Sequence, residues 1–555
     1  MEKMKKPQEG RYMGFYMDSA SPKTLYRRVY NGTYFVDKSM MLKEIFKYID
    51  AGDEYICVTR PRRFGKTVMA NMIAAFLTDA VDSSDIFDHL KISQDKDYKK
   101  HLNQYKVIQI NFSELPDECE DYKTYIRRVH KLWKEDLQEL YPQLNLDYED
   151  ATKDLLRKIH ERTGDEFVFV LDEWDYIFHE WFMTDKDKDD HLAFLSSLLK
   201  DQSYVKMTYM TGILPIAKYS SGSKLNMFVE YTMAEEEKFS DAFGFTDTEV
   251  DELFKRYQEH NEKQNLTRED LRIWYDGYHS KSGERIYNPR SVVVALMNNN
   301  LGNYWTNSGP YDEIYSYIKH NVADVREDVA LMVSGESVPA KIREYAVESM
   351  NLTTRDEIYS AMVVYGFLTY ENGRVSIPNK ELMDRFGDML QKESSMGYIY
   401  QLAKNSRKML DATIHYDTKT MQQILEYAHN TEVPILSYNH EVELAAIVNL
   451  VYLIARDYYR IEREEKSGTG FVDFIFYPYD TTADCIILDP NEHPGMILEL
   501  KVDASPEKAI EQIKEKKYDL KLRKSLGENS KTRILAVGIS YDKKSKEHKC
   551  KVEDL

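Results

Sequence analysis

The stretch EYICVTRPRRFGKT, residues 54–67, predicts a strand, a tight loop and the start of a helix. Glu54–Thr59 is a short apolar run of the kind that forms a buried strand, and Val68–Leu77 has helical periodicity. Gly65-Lys66-Thr67 would open that helix, where free backbone N–H groups face an anion. In such a loop the lysine reaches the β- and γ-phosphates of a nucleotide and the threonine hydroxyl binds Mg²⁺. The stretch therefore predicts a phosphate-binding loop.

The loop departs from its usual spacing at one position. The common pattern is GxxxxGK[ST], and Arg60 stands where the first glycine is expected. Gly-Lys-Thr without that glycine is also an ordinary way to begin a helix. On these three residues alone, a helix cap and a phosphate loop are both open interpretations.

Two further strands end in polar residues that suit the same chemistry. Phe167–Leu171 is followed by Asp172 and Glu173, and Val205–Met210 is followed by Thr211. An aspartate at such a strand end can hold Mg²⁺, an adjacent glutamate can orient the attacking water, and a threonine can sense the γ-phosphate. Ligands of parallel sheets bind beyond the carboxyl ends of the strands, so these residues predict one ATP and Mg²⁺ site. A surface turn is the alternative interpretation of the Asp-Glu pair.

The alternation of these runs predicts the fold class. Between about residues 54 and 240, short apolar runs alternate with helix-period segments such as His191–Leu199. This order is typical of an α/β domain, whose parallel sheet is covered by helices on both faces. The expected strands are Glu54–Thr59, Lys106–Phe112, Phe167–Leu171 and Val205–Met210.

Ordered motifs over residues 15–380 resemble the predicted AAA-ATPase-like family. They are YFVDKS (34–39), RPRRFGKT (60–67), DEWD (172–175), TGI (211–213), WYDGY (274–278), YNP (287–289), YWT (304–306) and IPN (377–379). In that family an arginine at the position of Arg60 is the usual form, so the resemblance implies a P-loop ATPase. It also implies that Arg62, Arg63 and Phe64 of the same loop contact the nucleotide. Asp175 of DEWD would be a supporting residue.

Three residues of these motifs match the family without a role that the sequence explains. They are Asp37, Trp274 and Tyr278. The alternative to a functional role is that these three residues are helix caps or core residues.

Two strand-like runs near the C-terminus carry a second group of charged residues. Asp473 lies in the run Phe471–Tyr477, and Glu499 and Lys501 end the run that begins at Gly495. Strand alternation puts Glu499 and Lys501 on the same side. If Asp473 lies on the adjacent strand, two carboxylates and an ammonium converge. Such carboxylates hold Mg²⁺ or Mn²⁺ for phosphodiester cleavage, and the lysine activates water or stabilises charge.

Two helix residues would support that site. Glu441 begins the expected helix 441–459 and would add a metal ligand, and Gln512, in the expected helix 506–520, would position the lysine or the substrate. The pattern over residues 436–545 resembles the PD-(D/E)xK nuclease superfamily core, which implies catalytic roles for Asp473, Glu499 and Lys501. A strand-edge salt bridge, or a core without activity, is the alternative.

The predicted domains follow from these patterns. They are a P-loop domain (1–245), a helical and winged-helix-like region (246–385), a helical linker (386–435) and a restriction-endonuclease-like α/β domain (436–555). In the second region, an apolar helix precedes two short strands that Asn372-Gly373 separates, and Asn-Gly in that setting predicts a hairpin.

Composition bounds the class of protein. The 555 residues are 42% hydrophobic and 30% charged, which excludes a disordered or collagen-like chain. The 4 cysteines have no metal-ligand spacing. No run has the length of a membrane span and no leader is recognisable, so we expect a cytoplasmic protein without membrane contact. The net charge of −19 opposes general nucleic-acid binding, but both ends of the chain are basic, which permits local contacts.

The sequence therefore predicts an ATP-regulated, metal-dependent endonuclease that acts on nucleic acid, with DNA favoured over RNA. An ATP-dependent switch or scaffold is the alternative, with a C-terminal domain that binds nucleic acid or protein without cleaving it. Whether the chain forms a homo-oligomer stays open, because many P-loop ATPases complete their site with a neighbour's arginine.

Overall fold

The computed structural model divides the chain into two compact units. The first comprises residues 1–307, 340–352 and 356–379, and the second comprises residues 308–339, 353–355 and 380–555. The structure describes residues 14–52, 54–216, 224–233, 238–305, 318, 325–333, 335–342, 352–392, 398–430, 441–479, 493–527, 530 and 532–555. The domain boundaries at 245, 385 and 435 stay predictions.

The first unit contains a five-stranded parallel sheet in the order β2-β3-β4-β1-β5. The strands are β1 (Tyr55–Thr59), β2 (Lys106–Asn111), β3 (Phe167–Asp172), β4 (Val205–Gly212) and β5 (Val229–Tyr231). The four expected strands are confirmed. β5 was not predicted, because this three-residue edge strand has exposed and half-buried residues and gives no apolar run.

Helices cover both faces of this sheet. Phe167 and Phe169 pack into one core cluster, and their neighbours Val168 and Val170 pack into another. The helices of the unit up to residue 298 are α1 (Ser21–Tyr30), α2 (Met41–Ala51), α3 (Lys66–Leu77), α4 (Ser84–Phe87), α5 (Tyr98–His101), α6 (Tyr122–Leu140), α7 (Thr152–Thr163), α8 (Asp185–Leu199), α9 (Asp247–His260), α10 (Arg268–Tyr275) and α11 (Pro289–Asn298). The α/β class predicted for this region is confirmed.

The register of the sheet aligns the strand ends. Asn111 of β2 pairs with Asp172 of β3, and Asp172 pairs with Thr211 of β4. Thr59, the last residue of β1, pairs with Gly212. The polar residues that follow these strands are therefore brought to one edge of the sheet.

The later part of the first unit contains short strands and a helix. A two-stranded ribbon consists of β6 (Tyr278–His279) and β7 (Arg285–Ile286). Next along the chain are α12 (Val325–Val333) and β8 (Val338–Pro339), which belong to the second unit. They are followed by α13 (Arg355–Tyr365), β9 (Thr369–Glu371) and β10 (Arg374–Ser376). β9 and β10 pair antiparallel, and the turn residues Asn372 and Gly373 have φ of +51° and +79°. The predicted Asn-Gly hairpin is confirmed.

The second unit contains a five-stranded mixed sheet in the order β11-β12-β13-β14-β15. Its strands are β11 (Tyr459–Ser467), β12 (Gly470–Pro478), β13 (Gly495–Val502), β14 (Ile534–Asp542) and β15 (Glu547–Asp554), and its further helices are α14 (Lys380–Lys392), α15 (Tyr398–Lys404), α16 (Ser406–Ile414), α17 (Thr418–Asn430), α18 (Glu441–Val451), α19 (Pro506–Glu515) and α20 (Asp519–Leu526). β13 and β14 run parallel, and the other neighbours pair antiparallel.

Two helix predictions in this unit were wrong in extent. The helix expected over 441–459 ends at Val451, a 3₁₀ turn follows, and Tyr459 begins β11. The helix expected over 506–520 is two helices, because Lys517 between them has a φ of +54°. β11 and β15 were missed because they are edge strands rich in charged residues, which lack the apolar run that reveals a buried strand. The strand predicted at 485–488 lies outside the described residues.

No helix in the described part of the chain is long and apolar enough to cross a bilayer.

We predict that Gly277→Ala destabilises the first unit more than Gly373→Ala. Both glycines have positive φ, +107° and +79°, but a Cβ at Gly277 would overlap the carbonyl oxygen of Pro378, whereas a Cβ at Gly373 meets open space. Backbone strain alone costs about 1 kcal/mol, and the overlap adds to it. Thermal unfolding of both variants measures the difference, and equal shifts in melting temperature would contradict the prediction.

Candidate active sites

The loop between β1 and α3 has the backbone of an anion-binding turn. Arg63 and Gly65 adopt positive φ values of +69° and +95°, and Gly65 is the residue before the helix. The carbonyl oxygen of Gly65 accepts the N–H of Met69 at 3.0 Å, so the helix is formed from its first turn. The N–H groups of that turn have no partner within the helix and are available to an anion.

Lys66 is a buried ammonium at the start of α3. Its side chain is 4% exposed, its Nζ donates to the carbonyl oxygen of Pro61 at 3.3 Å, and it lies 3.9 Å from Glu173 Oε1. Thr67 follows on the exposed side of the helix. The two residues lie where a phosphate and its cation would be bound.

Asp172 ends β3 as a fully buried carboxylate. Its Oδ1 accepts the Glu173 N–H at 3.1 Å, and its Oδ2 has no hydrogen-bond partner in the described part of the chain. Burial and the Glu173 charge raise the pKa of Asp172 to about 7, and the nearby Lys66 and Thr67 oppose the rise. A hard oxygen donor of this kind, beside a threonine hydroxyl, fits Mg²⁺.

Asp175 connects the loop after β3 to the end of β4. Its carboxylate accepts the N–H groups of Ile213 at 3.1 Å and Leu214 at 2.7 Å. Burial raises its pKa to about 6. A Cβ at Gly212 would overlap this carboxylate, so only glycine allows the close approach. Asp175 therefore holds the backbone that follows β4.

The side chains of Thr211 and Arg60 form hydrogen bonds within the sheet. The Thr211 hydroxyl donates to the carbonyl oxygen of Val58 at 2.8 Å, so phosphate sensing by Thr211 stays a prediction. Arg60 is 1% exposed, and its Nη1 donates to the carbonyl oxygens of Thr59 and Tyr231 at 2.8 Å. The arginine that replaces the usual glycine thus joins β1 to the edge strand β5.

The phosphate loop also contacts aromatic residues that come much later in the chain. The Trp305 indole N–H donates to the carbonyl oxygen of Arg62 at 2.9 Å. The Phe64 and Tyr278 rings meet edge to face at 5.0 Å, and the Tyr278 hydroxyl donates to the carbonyl oxygen of Gly366 at 2.8 Å. Tyr278 therefore holds the loop to a later segment of the same unit, a contact that the WYDGY motif did not predict.

The other two motif residues without a predicted role make contacts within the first unit. The Asp37 carboxylate accepts the N–H groups of Ser39 at 2.9 Å and Lys91 at 2.7 Å, which joins two segments of the chain. Trp274 packs against the core cluster of α9, α10 and α11.

The second group of predicted residues converges on β12 and β13. These strands pair antiparallel, and the ladder ends at Phe474 opposite Leu498, one residue from Asp473 and Glu499. Asp473 Oδ2 accepts the Leu500 N–H at 2.6 Å, and Lys501 Nζ lies 2.9 Å from Glu499 Oε1. The convergence expected from strand alternation is therefore present.

Glu499 carries the same signature as Asp172. It is 3% exposed, and its Oε2 is buried without a hydrogen-bond partner in the described part of the chain. Burial and the Asp473 charge raise its pKa to about 7, against the effect of Lys501. The unbonded oxygen beside a second carboxylate fits a divalent cation.

The structure describes the side chain of one of the two supporting residues. The Gln512 amide donates to Glu499 Oε1, which accords with a positioning role. Glu441 begins α18, but its side chain lies outside the described residues. Tyr518, which no sequence pattern marked, has its hydroxyl 3.2 Å from the Gln512 amide nitrogen.

Two family models match the chain. Residues 26–221 match the model described as Predicted AAA-ATPase, and residues 440–551 match the PD-(D/E)XK nuclease superfamily. The chain joins an AAA-ATPase-like segment to a PD-(D/E)XK nuclease superfamily segment. Both resemblances stated from the sequence are thereby confirmed.

Solved structures give weaker likenesses. A Walker-type ATPase of Pyrococcus abyssi is 14% identical, and the match covers 63% of this chain and 95% of that chain with a TM-score of 0.35. The ORC2 protein of Aeropyrum pernix, in ADPNP and ADP complexes, is 11% identical over 65% of this chain and 97% of that chain, with a TM-score of 0.33. No curated protein matches the chain.

We predict that Asp172→Asn reduces the pH dependence of stability of the AAA-ATPase-like segment without nucleotide. With a pKa of about 7 when folded and 3.8 as the ordinary value, Asp172 holds a proton in the folded state that the unfolded chain releases. The free energy of unfolding therefore falls as pH rises from about 4 to 7, by a few kcal/mol in order of magnitude. Melting temperatures at pH 5 and pH 8 should differ less in Asp172→Asn than in wild type.

The control is Asp117→Asn, which changes an exposed aspartate of the same unit. It should keep the wild-type difference between the two pH values. If Asp172→Asn also keeps the wild-type difference in melting temperature between pH 5 and pH 8, Asp172 is not a buried carboxylate with a raised pKa.

Proposed function

We propose that this protein binds and hydrolyses ATP with Mg²⁺ at the first site and cleaves nucleic acid with Mg²⁺ or Mn²⁺ at the second. The observation that carries the nuclease proposal is the buried Glu499 carboxylate, which meets Lys501 and Gln512 on one oxygen and has no partner on the other among the described residues. A bound cation would stabilise the ionised form of this carboxylate, because burial without a partner otherwise disfavours the negative charge.

At the ATP site, each residue has a task that its position supports. Lys66 would bind the β- and γ-phosphates beside the N–H groups that open α3, and Arg62 and Arg63 would add positive charge from the loop. Thr67 and Asp172 would hold Mg²⁺, which when bound supplies charge neutralisation on the phosphates. Glu173, 22% exposed and 3.9 Å from Lys66, would orient the attacking water.

At the second site, Asp473 and Glu499 would hold the divalent cation, with Glu441 as a further ligand. The bound cation supplies Lewis-acid polarisation of the phosphodiester and a lower pKa for water. Lys501 would orient the water or stabilise negative charge on the phosphate. Gln512 would keep Glu499 in place.

The macromolecular substrate in this proposal is DNA in preference to RNA, bound by local basic surface, because the net charge of the chain is −19. Such binding weakens steeply with salt. A cytoplasmic location and a homo-oligomeric state, in which a neighbouring chain supplies an arginine to the ATP site, belong to the same proposal.

One observation supports a second candidate function. Lys501 already pairs with Glu499 at 2.9 Å, which is the salt bridge expected of a C-terminal core that has no catalytic activity. The protein would then be an ATP-dependent switch or scaffold whose C-terminal segment binds nucleic acid or protein.

We expect Lys66→Ala to lower Mg²⁺-dependent ATP hydrolysis by roughly 100-fold or more, because a buried phosphate-binding charge is lost. Release of phosphate from ATP measures this effect. Lys96→Ala, which changes a lysine with an 88% exposed side chain, is the matched control and should hydrolyse ATP like wild type. Equal rates in Lys66→Ala and wild type would remove Lys66 from the ATP site.

We expect Asp473→Ala and Glu499→Gln to lower cleavage of plasmid and linear DNA by roughly 100-fold or more, because each removes a ligand of the cation. The assay contains Mg²⁺ or Mn²⁺, with and without ATP. Glu515→Gln is the matched control, because Glu515 and Lys517 form another Glu-x-Lys pair whose residues are exposed. If wild type cleaves neither DNA nor RNA under any condition, the second candidate function replaces the nuclease.

A further inference from the structure

Tyr518 connects the two strands of the proposed nuclease site through side-chain hydrogen bonds. It lies between α19 and α20 and is fully buried in the core cluster of this sheet. Its hydroxyl donates to the carbonyl oxygen of Phe471 at 2.5 Å, and the Gln512 amide donates to the hydroxyl oxygen at 3.2 Å. Phe471 is two residues from Asp473, and Gln512 contacts Glu499. Tyr518 therefore lies between the backbone near one carboxylate and the side chain of the other.

The direction of these hydrogen bonds is fixed by chemistry. A carbonyl oxygen only accepts, so the Tyr518 proton points to Phe471, and the hydroxyl oxygen is left to accept. Gln512 must then offer an N–H to Tyr518, which turns its second N–H towards Glu499. The amide oxygen of Gln512 is thereby kept away from the carboxylate, and Glu499 Oε1 receives donors from Gln512 and Lys501.

The turn that precedes Asp473 is held to the same segment of chain. The Ser467 hydroxyl donates to the Tyr518 carbonyl oxygen at 2.7 Å, and the Thr469 N–H donates to the Lys516 carbonyl oxygen at 3.0 Å. A Cβ at Gly470 would lie 2.8 Å from the Tyr518 hydroxyl oxygen, so the absence of a side chain allows this approach. The start of β12 and the end of α19 are therefore joined at Tyr518.

We propose that Tyr518 is a positioning residue for the cation of the nuclease site, which acts by orienting the Gln512 amide so that Glu499 keeps one oxygen free. This inference rests on the proposed nuclease function. Without the hydroxyl, one N–H of Gln512 loses its acceptor, and the amide is free to rotate away or to present its oxygen to Glu499. Partners of metal ligands that act in this way change metal affinity by about 10- to 100-fold.

The test is Mn²⁺ binding to the full chain, measured without nucleotide by isothermal titration calorimetry and by the electron paramagnetic resonance signal of free Mn²⁺. The site is identified as the binding that Asp473→Ala removes. We expect Tyr518→Phe, which keeps the ring, to weaken this binding about 10-fold or more. Tyr452→Phe is the matched control, because it removes a buried hydroxyl of the same unit that bonds Thr413 at 2.6 Å. It should leave Mn²⁺ affinity at the wild-type value.

A double-mutant cycle tests whether Tyr518 acts through Gln512. We expect Gln512→Leu to weaken Mn²⁺ binding by a similar factor, and Tyr518→Phe to have no further effect in that background. Fully additive effects would overturn the proposal, as would wild-type affinity in Tyr518→Phe. If Tyr518→Phe lowers the melting temperature much more than Tyr452→Phe does, the proposal is judged on Gln512→Leu alone. Wild-type Mn²⁺ affinity in Gln512→Leu then overturns the proposal.

Failure of the nuclease proposal gives a different result. Wild type and Asp473→Ala would then bind Mn²⁺ identically, and both the cation site and the role of Tyr518 would be rejected. Loss of affinity in Asp473→Ala together with wild-type affinity in Tyr518→Phe would reject the role of Tyr518 alone.

Discussion

A carboxyl group that is buried away from water costs free energy in its ionised form unless donors or cations face it, and both candidate sites are built around such a group. Asp172 and Glu499 lie at or near the ends of buried strands. Each has one oxygen with hydrogen bonds and one oxygen without a partner in the described part of the chain. The lysines beside them, Lys66 and Lys501, offset part of the desolvation but leave both pKa values raised to about 7. A divalent cation is the group that would stabilise both ionised carboxylates.

The folded chain imposes this burial through its core. In the first unit, β3 is buried along its whole length between two hydrophobic clusters, so the residue that ends it is buried as well. In the second unit, β13 is buried from Gly495 to Leu500, and Lys501 is the first residue that is partly exposed. The charge pattern of each site thus follows from where an apolar strand stops.

The phosphate loop depends on contacts with distant parts of its own unit. Trp305 bonds the carbonyl of Arg62, and Tyr278 contacts both Phe64 and Gly366. Arg60 holds the preceding strand to β5. A change of loop shape on nucleotide binding would therefore reach the segment of Gly366, which follows α13. These contacts would carry a change of loop shape to the surrounding structure only if the nucleotide-bound and nucleotide-free states differ there.

The sequence by itself predicted the buried strands, the polar residues at their ends and the resemblance to two families, because apolar runs and ordered motifs are local patterns. Only the tertiary structure decided the contacts of Arg60, Tyr278 and Tyr518, since their partners lie on other elements that no spacing rule connects to them. It also decided that Thr211 bonds within the sheet, and that the charged strands β11 and β15 exist. The physical reason is that hydrogen-bond partners and edge-strand pairing depend on which elements pack together, whereas a strand with an apolar core face is visible in its own residues.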